Sequence, residues 1–258
     1  MKKSILVTAA ATAAIVLGLL SPKLIELAAG SGGAGGTLEV EPIRMTYSQV
    51  TSVELFNRLC EENYSVAELD TGREFSRGSA AQHAAILTEG FLERCGLPYK
   101  DEEIYRPESW SPQPLIAVSD AGPDETAWNA VIWTCECART GKEGDYEVAG
   151  CAFDDATGTP VGFYVLVPEL WLQEDELVNR SEEIAYVFAD MMDAEVIYIV
   201  EGSQVDGEMD AWEGTYAVFS FVVGDEEGNT ATLFVSWQYG EINAETGEGQ
   251  ILLTIGYD

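Results

Sequence analysis

Five cysteines and a single histidine are the residues best suited to reactive chemistry. Cys135, Cys137 and Cys151 fall on two segments that read as neighbouring strands. Folding the chain about a turn near Glu143 sets Cys135 opposite Cys151, with Cys137 on the same face two residues along. Cys60 and Cys95 each end a helix-like segment and would meet if those helices packed as a hairpin. Three readings are open: disulfides Cys135–Cys151 and Cys60–Cys95 with one spare thiol, buried free thiols, or a thiolate metal site completed by His83. The Cys-x-Cys spacing is weak evidence for the last, so no metal ligand set and no cofactor are assigned.

Catalytic constellations are hard to assemble. With one histidine, a Ser-His-Asp or Cys-His site would have to pass through His83, which lies in Ala-Ala-Gln-His-Ala-Ala and reads as a helical position. No serine occupies a Gly-x-Ser-x-Gly elbow, and the glycine-rich stretch lacks the Lys-Ser/Thr of a phosphate loop. Paired carboxylates could act as acid and base, but acids are so abundant that no pair stands out. Asp206-Gly-Glu208-Met-Asp210 alternates carboxylates as a calcium loop does. Ala211 replaces its turn glycine, however, and Ala217 stands where the bidentate glutamate belongs. Asp154-Asp155 and Asp225 to Asn229 read as hairpin turns. No catalytic residue is named, and the expectation leans away from an enzyme.

The elements that would position these residues follow from the hydrophobic period. Thr51-Ser-Val-Glu54 and Ser79-Ala-Ala-Gln82 read as helix starts, and a third helix is expected between about Glu174 and Met192. Pro107, Pro112 and Pro114 mark a loop. Strands are expected at Leu115 to Val118, Trp128 to Cys137, Tyr146 to Phe153, Val161 to Val167, Glu195 to Val200, Thr215 to Val223, Thr230 to Gln238 and Gln250 to Tyr257. The order of helix then strands occurs twice, and a shift of 84 residues lays Ala127-Trp128 on Ala211-Trp212 and Gly144 on Gly228. The expected fold is therefore α+β: an N-terminal membrane helix, then two helix-plus-antiparallel-meander units over 37–170 and 171–258, related by a candidate internal duplication.

Ile5 to Leu20 is free of charge and follows Lys2 and Lys3, as an export signal or short anchor requires. Cleavage sites are poor, so residues 1–29 are expected to be an uncut signal anchor, with secretion after cleavage as the alternative. Gly30 to Gly36 reads as a flexible tether. From Gly30 onward ten basic residues face forty-four acidic ones, and no Lys or Arg follows Arg180. That field argues against nucleic acid and anionic lipid surfaces and favours a basic protein or cationic ligand. The function expected on these grounds is a membrane-tethered extracytoplasmic binding protein: a sensor, adaptor or accessory subunit of a membrane complex, single-pass in the cytoplasmic membrane. The alternatives are a secreted module that binds a cation or a glycan stacked on tryptophan, and a carboxylate-based hydrolase.

Overall fold

The computed structural model describes residues 50–60, 64–97, 102–119, 128–141, 144–168, 176–205, 216–239 and 250–256. All belong to one compact unit, Met45–Asp258. Its elements run α1 (Ser52–Cys60), β1 (Tyr64–Glu68), α2 (Arg77–Arg94), β2 (Trp110–Ser119), β3 (Asn129–Gly141), β4 (Gly144–Asp154), β5 (Pro160–Pro168), α3 (Leu177–Met191), β6 (Glu195–Val205), β7 (Tyr216–Gly224), β8 (Thr230–Tyr239) and β9 (Gln250–Gly256).

The strands form one nine-stranded sheet in the order β1-β2-β3-β4-β5-β9-β8-β7-β6, with every neighbouring pair antiparallel. This corrects the expected pair of repeated units. β9 pairs with β5 from Gly162↔Gly256 to Pro168↔Gln250, so the second meander continues the ladder of the first. The buried residues likewise form one cluster rather than two. The matches at a shift of 84 that fall on described residues lie on β-strand or turn positions, where apolar alternation and turn glycines recur in any meander. Ala127, Ala211 and Trp212 lie outside the described residues.

The expected membrane helix is also corrected. Among the described residues no helix is long and apolar enough to cross a membrane. Ile5 to Leu20, the tether Gly30 to Gly36 and the extended entry Thr37 to Met45 lie outside the described residues.

Alternation along the strands sends odd-numbered side chains of β3 to β5 and β7 to β9 to one face. Two aromatic contacts show that helices cover it, and a third joins the helices to one another. Phe91 of α2 stacks on Phe163 of β5 with ring centroids 4.6 Å apart. Phe163 meets Phe188 of α3 edge-on at 5.9 Å, and Phe188 meets Phe56 of α1 at 6.3 Å. The Trp237 indole N–H on β8 donates to the buried Ser181 hydroxyl of α3 at 2.7 Å.

The sheet curls round these helices, and chain length requires it. α1 packs on β8, with the Cys60 thiol 3.9 Å from Thr232 O, yet β1 begins at Tyr64, six strands from β8 in the ladder. Flat, six strand spacings would span about 29 Å, whereas four residues reach at most about 14 Å. α1 touches both flanks: its Cys60 lies on β8, while its Arg58 lies over the Trp128 indole beside β3 at 5.8 Å, and that indole packs on Tyr64 of β1 with ring centroids 5.8 Å apart.

Local chemistry explains the departures from expectation. α2 starts at Arg77, one turn's worth of capping earlier than Ser79, because Ser76 is the N-cap. The Ser79 N–H donates to Ser76 Oγ at 3.3 Å, and the Ser76 N–H donates to Ser79 Oγ at 2.8 Å. β2 begins at Trp110 and runs through Pro112 and Pro114, which were expected to lie in a loop. The Leu69 N–H donates to Pro114 O at 2.9 Å, so the backbone of Pro114 faces the end of β1 and away from β3. The missing proline N–H therefore costs no bond to β3.

Candidate functional site

β6 ends the sheet, and among the described residues no strand pairs with its outer side. The run E-V-I-Y-I-V has no period-two alternation. It reads as a strand buried on both faces, yet Ile197, Tyr198, Ile199 and Val200 are 55%, 57%, 44% and 41% exposed. Edge strands are usually blunted by charge, proline or brevity. β6 is instead eleven residues long, and Val196 to Val200 is uninterrupted by charge, while its register on β7 shifts between Val196 and Tyr198 and again between Val200 and Ser203, so its most regular stretch is Tyr198 to Val200. α3, the helix packed on β6, adds the exposed Val178 and Tyr186.

The start of β6 is fixed by the end of α3. Asp193 takes a left-handed conformation, φ 55°. The Ala194 N–H donates to Ala189 O at 2.9 Å and the Asp193 N–H donates to Asp190 O at 3.2 Å, a Schellman closure with aspartate where glycine is usual. The chain thereby reverses into β6. Beside this corner lies a cavity of about 820 Å³, into which Asp190, Asp193, Glu195, Asp225, Glu226 and Glu227 bring carboxylates. Asp225 is held by the Thr51 hydroxyl at 2.5 Å and the Asn229 side-chain amide at 2.9 Å. Burial raises its pKa. The Thr51 hydroxyl, the Asn229 side chain and the Asn229 and Glu227 backbone together outweigh burial and hold it below the usual carboxylate value. Arg94 of α2 pairs with Asp190 at 2.5 Å. The cavity and the apolar edge thus share Glu195 and Ile197.

None of the disulfides considered from sequence is formed: Cys95, Cys135 and Cys151 are free thiols. The register puts Cys135 directly opposite Cys151, and Cys137 opposite Ala149. Cys60 is set against β8 while Cys95 caps α2, which packs on β2, β3 and β4. Burial pushes the Cys95 and Cys135 thiols up to about 12, Cys95 being further lowered by Arg94 and raised by Glu183. Burial also pushes Cys151 up, further raised by Cys135 and lowered by the Thr88 hydroxyl. His83 does not approach this trio as a fourth ligand. Its Nε2 lies 2.7 Å from Gly158 O, and its ring packs between Phe75 and Phe153. Among the described residues no group of three or more His, Cys, Asp or Glu could hold a metal ion. Trp110, Trp128, Trp133 and Trp237 are buried, which removes them as a glycan-stacking surface. Trp171, Trp212 and the stretch Asp206 to Asp210 lie outside the described residues.

Sequence reasoning missed Asp155, which read as a turn residue. It is 2% exposed and gathers four donors. Oδ2 accepts the backbone N–H groups of Arg73 and Glu74 at 2.8 and 2.9 Å. Oδ1 accepts the N–H of Phe75 at 3.2 Å and the Trp133 indole N–H at 2.6 Å. Gly72 is part of the same fit, since a Cβ there would fall 2.2 Å from Asp155 Oδ1 and 2.7 Å from the Trp133 ring. With all four bonds made within the protein, Asp155 is a staple fastening the loop before α2 to the β4–β5 hairpin.

The membrane-tethered sensor, adaptor or accessory subunit is not retained, because no helix among the described residues can cross a membrane. The corresponding partner, attached through Ile5 to Leu20, and the single-pass location fall with it. The secreted cation- or glycan-binding module and the carboxylate hydrolase gain no support from relatives either. No protein-family model, no characterised protein and no solved structure shows significant similarity to the chain.

Proposed function

We propose that the domain is a self-assembling subunit, in which two copies join β6 to β6 in antiparallel fashion and continue one sheet into the next. The carrying observation is the exposed run Ile197 to Val200 on a strand with one side that, among the described residues, no other strand pairs. A second copy is the occupant always present wherever the chain is, and two-fold dimers are the commonest assemblies.

Charge selects the direction of pairing. Parallel strands would set the two carboxylate-lined cavities side by side, whereas antiparallel strands send them to opposite ends of the interface. Each half-exposed apolar side chain has about 1 kcal/mol of burial left to gain, so the four per copy contribute about 8 kcal/mol to a dimer. About six interstrand hydrogen bonds, at about 1 kcal/mol net each, offset an association cost of similar size. The balance corresponds to dissociation at roughly micromolar protein. A formal charge of −32 on each chain opposes it. Shortening the Debye length from about 8 Å to about 3 Å with salt therefore strengthens the dimer.

Light scattering on the eluting protein tests this. The wild type is expected to pass from monomer to dimer between about 0.1 and 100 µM, a range bracketing that estimate, and at lower protein in 1 M salt. Ile199→Lys, which places a charge on the edge, is expected to stay monomeric. A wild type that is monomeric throughout, or an Ile199→Lys variant that dimerises as well as wild type, would overturn the proposal.

A further inference from the structure

We infer that Cys135 and Cys151 are a latent disulfide pair, kept reduced by the helix packed over them and able to bridge when that helix lifts from the sheet. Three observations carry this. The two residues are register partners on β3 and β4. The Asp155 N–H donates to Val131 O at 2.8 Å, which fixes the phase of the ladder and places Cys135 and Cys151 at a mutually hydrogen-bonded position. Their Cα atoms then stand about 5.5 Å apart, within the Cα span of a disulfide, while the Cβ atoms of such a pair, also about 5.5 Å apart, must close by about 1 Å to bridge, a shift that the lifting of α2 permits. Finally, both thiols are sealed under α2, at 1% and 3% exposure, and the buried Thr88 hydroxyl of α2 stands beside Cys151 without a hydrogen bond of ordinary geometry.

The ladder supplies proximity, and α2 withholds reaction. With its thiol pushed up to about 12, Cys135 at pH 8 is thiolate in about one molecule in ten thousand. Once α2 lifts, water returns to the pair and the ordinary thiolate fraction is restored. One cysteine thiolate then attacks a sulfur of oxidised glutathione, releasing one glutathione thiolate and leaving a mixed disulfide. The second cysteine attacks the protein sulfur of that mixed disulfide and releases the other glutathione. Two protein thiols are oxidised, one glutathione disulfide is reduced, and the protons pass to the two departing thiolates. Local opening of a helix needs less than global unfolding, so the reaction has a window of its own.

The test incubates the full chain with oxidised glutathione at pH 8 in a series of urea concentrations, followed by alkylation, intact mass and peptide mapping. Without urea, Cys60, which is half-buried, is expected to take up glutathione while Cys135 and Cys151 stay reduced. At urea below the unfolding midpoint the Cys135–Cys151 peptide pair is expected to appear. Leu92→Ala, which loosens α2 on the sheet, is expected to speed bridging at least tenfold. Bridging as fast as Cys60 reacts in native buffer, bridging that tracks global unfolding alone, or a predominance of Cys137–Cys151 would each overturn the inference.

Discussion

Replacing Asp155 separates a staple from an ordinary turn residue. Asp155→Ala removes four acceptor contacts at 2.6 to 3.2 Å and leaves the donors behind. Trp133 is fully buried, so its indole N–H loses its partner with no water to replace it, at a cost of about 1–3 kcal/mol. The N–H groups of Arg73, Glu74 and Phe75 are only partly buried. Water can recover part of each of those bonds, and together they add about 2 kcal/mol. The expected loss is therefore about 3–5 kcal/mol. Asp155→Asn keeps the shape and one acceptor oxygen but turns an amide NH₂ toward backbone or indole donors, for an expected loss of about 2–3 kcal/mol. Urea titration followed by Trp fluorescence reads both values, with an unchanged slope showing that the same surface is exposed. At about 2–4 °C per kcal/mol for a domain of this size, thermal midpoints should fall by about 6–20 °C for Ala. An Asp155→Asn protein within about 0.5 kcal/mol of wild type, the range of ordinary surface changes, would refute the reasoning.

Other perturbations give smaller, signed effects. Asp193→Gly relieves a left-handed non-glycine residue and is expected to raise stability by about 0.5–1 kcal/mol in the same titration; a loss would show that the aspartate side chain supports the corner. Burial raises the pKa of Asp154, outweighing the hydrogen bonds from Thr157 and Ala156, with Asp155 raising it further. Its folded pKa thus lies above the unfolded one, so its cost is absent below the unfolded value and grows as pH rises through the folded value. Asp154→Asn is accordingly expected to gain on wild type at pH 7 and to match it near pH 3, and an equal gain at both would contradict the assignment. Asp225 runs the other way: its contribution is present above the unfolded pKa and fades as pH falls through the depressed folded one. Thr51→Val should flatten that acid limb of the stability profile, and an unchanged profile would remove Thr51 from the interaction.

Much of the local structure was legible in the sequence because it rests on local chemistry. Apolar alternation marks β3, β4, β5, β7 and β8, and the expected Cys135–Cys151 register is found, although the hairpin closes at Gly141↔Gly144 and a register shift between Cys137 and Ala138 supplies the one-residue offset. What was not legible depends on distant partners. Whether V-I-Y-I-V is a central strand or an edge turns on β9 pairing with β5, and nothing within residues 195–200 encodes that. The same pairing merges two expected units into one sheet. β1, at Tyr64–Glu68, is short, mostly exposed and closes the curl, so it lacks an apolar face to announce it. Pro112 and Pro114 suggest a loop because the outward turn of their backbone is visible only once β1 is in place. Asp155 resembles any turn aspartate, since three of its four donors come from about eighty residues earlier in the chain.

Self-assembly through β6 is tested most directly by hydrogen exchange of the amides in Glu195–Val205 at two protein concentrations. Pairing of two edges would occupy outer-side N–H groups that no strand among the described residues pairs. Amides of β6 are therefore expected to slow as the protein is raised from below to above the roughly micromolar dissociation range, while those of β4, deep in the sheet, stay unchanged. Exchange in β6 that is the same at both concentrations, in low salt and in 1 M salt alike, would contradict the account.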